Sequence, residues 1–127
     1  MLNGAHGTKD TSRLCKETKP SMNWLHPLSY LFAGAFLTNA IPHLTSGVMG
    51  RPFQTPWAKP RGPGQSSSIE NVLWGFFNLV IGYLLICRVG DFDLRANQDV
   101  IPLGLGALLM GLGLAWRFGQ FNGGRLS

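Results

Sequence analysis

The sequence predicts an all-α fold: an integral membrane bundle of three transmembrane helices with a long proline-rich interfacial loop. Three observations predict it. Only 13% of the residues are charged, about half the share of an average soluble domain. The apolar residues fall into three blocks, and within each block they occupy all faces of a helix, which suits lipid rather than water. The segments between the blocks are polar, and one of them is dense in proline. A chain of 127 residues is long enough for one domain.

Residues 1–21 are polar, with Lys9, Arg13, Lys16 and Lys19 set against Asp10 and Glu17, and carry no apolar period. They are expected to be a disordered tail. Met22 then reads as a natural start, so that 22–127 forms the membrane domain. The first span is expected over 24–41, which is uncharged for 18 residues; a bilayer core of about 30 Å takes roughly 17–25 helical residues. Pro27 falls in the first turn, where its missing N–H is harmless, and Pro42 is expected to close the run. A secretory signal cleaved after the "TNA" at 38–40 is the competing reading, against which the run is long for such a segment.

The second span is expected over 68–87. Ser67-x-x-Glu70 is a capping box, in which the Ser hydroxyl accepts a backbone N–H and the Glu carboxylate reaches back. Asn71 to Cys87 is then uncharged and Arg88 ends the run. After a short polar connector, Asp99 is expected to cap a third span over 100–117, with Pro102 in its first turn and Arg117 at its far end.

Helices in lipid are held together by close backbone approach and interhelical hydrogen bonds. The second span places Asn71, Gly75, Asn78 and Gly82 on one helical face. The third offers Gly104, Ala107, Gly111 and Ala115, and the first offers Gly34 with Thr38 and Ala35 with Asn39. These stripes predict a compact antiparallel bundle, with a further Gly106/Gly113 face open to a second subunit. Gly75, Asn78, Gly82 and Gly111 are the positions expected to pack helices.

Chain order brings the end of the first span, the start of the second and the end of the third to one membrane surface. Asn39, His43, Glu70, Asn71 and Arg117 should therefore lie together beneath the loop at 50–68, with Trp57 and its basic neighbours Lys59 and Arg61 in the headgroup layer. Within that set Glu70 is a candidate partner for Arg117, and His43 a candidate proton carrier. The set is a candidate site for a ligand or a partner. The plainer reading assigns Glu70 to capping and Arg117 to interfacial snorkelling.

Other chemistry finds little support. His26 and His43 are 17 residues apart on one helix, about 25 Å at 1.5 Å per residue, too far to share a metal. No H-E-x-x-H, C-x-x-C or nucleophile-elbow motif occurs. The glycine-rich "GLGALLMGLG" lies within an apolar run, so it does not read as a phosphate loop. The two cysteines, Cys15 and Cys87, form neither a disulfide framework nor a metal motif. No catalytic residue, metal or cofactor is therefore expected. The net charge of +5 arises from basic residues at the ends of apolar runs, which suits phospholipid headgroups and not nucleic acid. Asn78 is the only strongly polar side chain in mid-span, where ion-coupled pumps usually need ionisable groups.

With three spans, the tail and connector share six Lys/Arg on one side, against five on the loop and C-terminal side. The positive-inside rule does not choose between them. Starting from Met22 the count is two against five, which puts the loop and C terminus in the cytoplasm.

The run over 38–83, "TNAIPHLTSGVMGRPFQTPWAKPRGPGQSSSIENVLWGFFNLVIGY", resembles a family of small, uncharacterised bacterial multi-pass membrane proteins. The resemblance implies a bacterial inner-membrane (cytoplasmic-membrane) protein whose distinctive part is the loop and its junctions, and it implies no activity. The polar tail departs from that pattern. The function expected is that of a small accessory or structural subunit in the lipid bilayer, either a homo-oligomer or bound to a larger membrane protein. The alternative is a small-solute or lipid-binding, transporter-like protein with a polar site under the 43–68 loop. A membrane enzyme using His43 and Glu70 comes third.

Overall fold

The computed structural model describes residues 24–124, so the tail at 1–21, the Met22 boundary and Arg125 lie outside the described residues. Within them the chain is all-helical: α1 (Leu25–Val48), α2 (Ser68–Cys87) and α3 (Asn97–Gly119), with no strand beyond one isolated antiparallel bridge between Phe53 and Ser66. Two of these helices, α2 and α3, are long and apolar enough to cross a membrane. Many large apolar side chains lie on the surface, and the interior mixes polar residues with Tyr30 and small apolar ones. Phe76, Phe77, Leu108, Leu109 and Trp116 are exposed, whereas Ser29, His43, Asn71 and Asn78 are buried.

α1 packs against both other helices, and α2 and α3 do not pack backbone to backbone on each other. The compact bundle expected from three packing stripes is therefore a layer with α1 in the middle. The α1–α2 seam joins small residues to hydrogen bonds. Gly75 faces Leu44, and Gly82 faces Leu37. The Ser29 hydroxyl donates to the Leu85 carbonyl at 2.7 Å, and the Asn39 amide donates to Asn78 Oδ1 at 2.9 Å. Asn78 in turn donates to the Trp74 carbonyl at 2.7 Å. These bonds and the small residues together hold the seam.

The α1–α3 seam is a reciprocal backbone approach. A Cβ on Gly34 would overlap the Leu103 carbonyl, and one on Gly106 would overlap the Leu31 carbonyl. Gly106 is thus an inward packing position and not part of an outward face. Gly104, expected in the packing stripe, is exposed, with nothing near its missing Cβ. Gly111 sits 3.7 Å, measured from an added Cβ, from the Thr38 methyl.

Two boundaries differ from expectation. α1 continues through Pro42 to Val48. Pro42 removes one hydrogen bond, but the turns beyond it are seated on α2, with Gly47 against Ser68 and Val72 and Leu44 against Gly75. The helix stops at a Schellman motif: Gly50 has φ 70°, its N–H bonds the Gly47 carbonyl at 3.0 Å, and Arg51 N–H bonds the Ser46 carbonyl at 2.9 Å. α3 begins at Asn97, and its N-cap, Ala96, makes no side-chain bond. Asp99 lies inside the first turn, with Pro102 beyond it, and accepts the Asp93 N–H at 2.9 Å, closing the connector instead of capping the helix. The expected cap on α2 is present in both halves: Glu70 N–H donates to the Ser67 hydroxyl at 3.2 Å, and Ser67 N–H to the Glu70 carboxylate at 2.8 Å.

Candidate functional site

The loop between α1 and α2 is folded back onto the helix ends. Phe53 and Ser66 exchange backbone hydrogen bonds of 3.2 and 2.8 Å, and the Thr55 and Ser66 hydroxyls bond each other. Gly62, with φ 100°, turns the chain where it passes Phe121 and Arg117; the left-handed region suits glycine there. Asn71, on the first turns of α2, pins the whole arrangement. Its amide nitrogen lies 3.1 Å from the Phe53 carbonyl, 3.2 Å from Ser66 and 3.0 Å from Ser67.

The same residue orients His43. His43 Nδ1 is 2.8 Å from Asn71 Oδ1. Because the Asn71 nitrogen faces three carbonyls, its oxygen must be the acceptor, so His43 Nδ1 carries the hydrogen. In the neutral ring, Nε2 is then a free acceptor. Phe53, Trp74 and Phe118 surround the imidazole edge-on, with centroids 5.5, 6.4 and 6.3 Å away.

Beneath the loop lies a cavity of about 240 Å³. α1 contributes Asn39 and His43, one helical turn apart, and α3 contributes Arg117 and Phe118. The loop contributes Gln54, Thr55 and Arg61, and α2 contributes Trp74. Two arginines, both exposed at its rim, line it and no acidic residue does, so its field favours an anion. Gln54 is only 5% exposed, and its Oε1 has no hydrogen-bond partner; Trp74 Nε1 is likewise buried and unpartnered. A buried polar atom left unsatisfied costs about 1–3 kcal/mol, and native proteins rarely leave one without a reason.

Of the sequence-derived candidates, Asn39, His43 and Arg117 thus meet in one cavity, with Asn71 directly behind His43. Glu70 and Trp57 do not join them. They flank a separate, apolar groove with Leu73, Trp74 and Phe77, where Trp57 meets Trp74 edge-on at 5.1 Å. The Glu70–Arg117 pair is not formed. The Glu70 carboxylate is held by the Ser67 cap, and the Arg117 guanidinium lies over the Phe121 ring at 5.5 Å.

Gln54, Thr55, Arg61 and Trp74 are site residues that sequence reasoning missed. Trp74 was accessible, being three residues after Asn71 and four before Asn78, hence beside the polar stripe of α2. Gln54 carried no such signal, because its inward direction is set by the Phe53–Ser66 bridge.

Within the described residues no group of His, Cys, Asp and Glu is placed to hold a metal. No family model, no curated protein and no solved structure matches this chain.

Proposed function

We propose that this chain is a three-span protein of the bacterial cytoplasmic membrane that binds a small anionic group in the cavity beneath its interfacial loop. α1 is the third span. Its polar side chains Ser29, Asn39 and His43 are each satisfied by α2, so lipid meets little of them. The large apolar side chains on the surface and the buried polar residues support a lipid surrounding, and the sequence resemblance supports a bacterial membrane.

The observation that carries the binding reading is the unpartnered oxygen of Gln54, a residue that lines the cavity together with Arg61 and Arg117. The two cations attract an anion, while Gln54 Oε1 and His43 Nε2 accept from a hydroxyl donor. The ligand class is therefore an anion bearing hydroxyl groups. Glycerol 3-phosphate is a suitable probe, titrated calorimetrically into the full chain in neutral detergent. Saturable binding that weakens at least tenfold in Gln54→Leu and in Arg117→Gln is the expected result; no saturable binding, or equal affinity in all three proteins, overturns the reading.

An accessory-subunit role is the second reading. It draws support from α3, where Gly104 and Gly113 leave open space at the helix surface and where a neighbouring helix of a larger membrane protein could seat. Its mark is a stable hetero-complex in native mass measurement.

A further inference from the structure

Because α2 and α3 stand apart on either side of α1, an apolar trough of about 470 Å³ opens between them. Its floor is one side of α1, from Leu31 to Asn39, and its α3 wall includes Leu109, Met110 and Gly113. That floor is about 12 Å long at 1.5 Å per residue. Asn39 and Trp74 line both this trough and the cationic cavity, so the apolar space begins where the polar space ends. A small solute uses only the cavity. A molecule with an anionic head and an apolar chain uses both.

We infer that the physiological ligand is an anionic amphiphile, its hydroxyl-bearing head among Arg61, Arg117, Gln54 and His43 and one hydrocarbon chain in the trough beside Gly113. This rests on the proposed anion site and adds the second compartment. Trp74 stands at the junction, lining both compartments, and its buried indole N–H has no partner in the protein. Chain burial supplies affinity in proportion to apolar area, whereas the head supplies selection by charge.

Gly113 separates the two compartments experimentally. An added Cβ there meets nothing within 4 Å, so Gly113→Phe puts bulk on the trough wall without a clash at its Cβ. Gly104→Phe is the matched control, because Gly104 is equally open and lies outside the trough lining. The full chain in neutral detergent is titrated with phosphatidylglycerol, with phosphatidylcholine of the same chains, and with a single-chain alkyl glycerophosphate, and uptake is read by native mass spectrometry.

Phosphatidylglycerol or the single-chain compound is expected to bind at least tenfold more tightly than phosphatidylcholine. Gly113→Phe is expected to remove that binding while leaving glycerol 3-phosphate binding intact, and Gly104→Phe to change neither. Preference for the two-chain lipid identifies the bilayer as the source, and preference for the single-chain compound identifies a free amphiphile. Unchanged amphiphile binding in Gly113→Phe, or equal uptake of phosphatidylcholine, overturns the amphiphile assignment even where glycerol 3-phosphate binds. Loss of glycerol 3-phosphate binding in the unaltered chain removes the anion site itself.

Discussion

Asn71 is fully buried, and three separate demands meet at it. It holds the loop through the Phe53, Ser66 and Ser67 carbonyls, it fixes the His43 tautomer, and it lies on the face of α2 that packs on α1. Asn71→Ala removes the donor from the Phe53, Ser66 and Ser67 carbonyls and leaves His43 Nδ1–H unpaired. The expected loss is about 1–3 kcal/mol, the usual cost of stranding a buried polar group, read as a lower midpoint in SDS titration of the micellar protein. The loop should also open locally, so trypsin should cut after Arg61, which precedes Gly62, faster than in the unaltered chain. An unchanged midpoint with unchanged cleavage would show that the loop is held by its own bridge and not by Asn71.

At the scale of elements, the α1–α3 seam depends on the absence of two methyl groups. Gly106→Ala drives a Cβ into the Leu31 carbonyl, so the helices must separate, at about 1–3 kcal/mol for an overpacked contact. Gly104→Ala, with open space around it, should instead be neutral or stabilise by up to about 1 kcal/mol through helix propensity. SDS-titration midpoints of the two variants check the contrast, and equal effects would mean that the seam is not as close as described. This pair also shows what the sequence could reveal. That α3 carries a small-residue face was readable from glycine spacing, but which of its glycines faces inward depends on how α3 is rotated against Gly34, and that is a property of the partner. Ser67 and Glu70 were readable because capping is local. The end of α1 was misread because Pro42 is a weak breaker beside the contacts His43, Leu44 and Gly47 make with α2, and because the true stop, Gly50, is a single residue in a run of turn formers. In the site, Asn39, His43, Asn71 and Arg117 followed from chain order and helical spacing, whereas Gln54 depends on a long-range bridge that no local pattern encodes.

At the scale of the whole molecule, the proposed three-span arrangement asks how α1 would lie in lipid when, among the described residues, only α2 and α3 are apolar enough by themselves to cross a membrane. A helix's tendency to span depends on the surface it leaves to lipid, not on its average composition. α1 sits between the other two, and three of its polar side chains bond α2: Ser29 the Leu85 carbonyl, Asn39 Asn78 and His43 Asn71. The side chains it leaves exposed include Leu28, Phe32, Ile41 and Val48. α1 is therefore predicted to cross beside its two partners, and the proposed three-span arrangement requires the tail and the α2–α3 connector on one side of the membrane and the loop on the other. Single-cysteine proteins in sealed vesicles test this with a membrane-impermeant maleimide. Cys87 is free and exposed at the connector end of α2, Lys59→Cys with both native cysteines replaced by serine reports the loop, and Cys15 alone reports the tail. Cys15 and Cys87 should label from the same side and Lys59→Cys from the opposite one. If Cys15 instead labels from the side of Lys59→Cys, α1 does not cross, and the cavity beneath the loop is built by two spans and a helix lying at the interface.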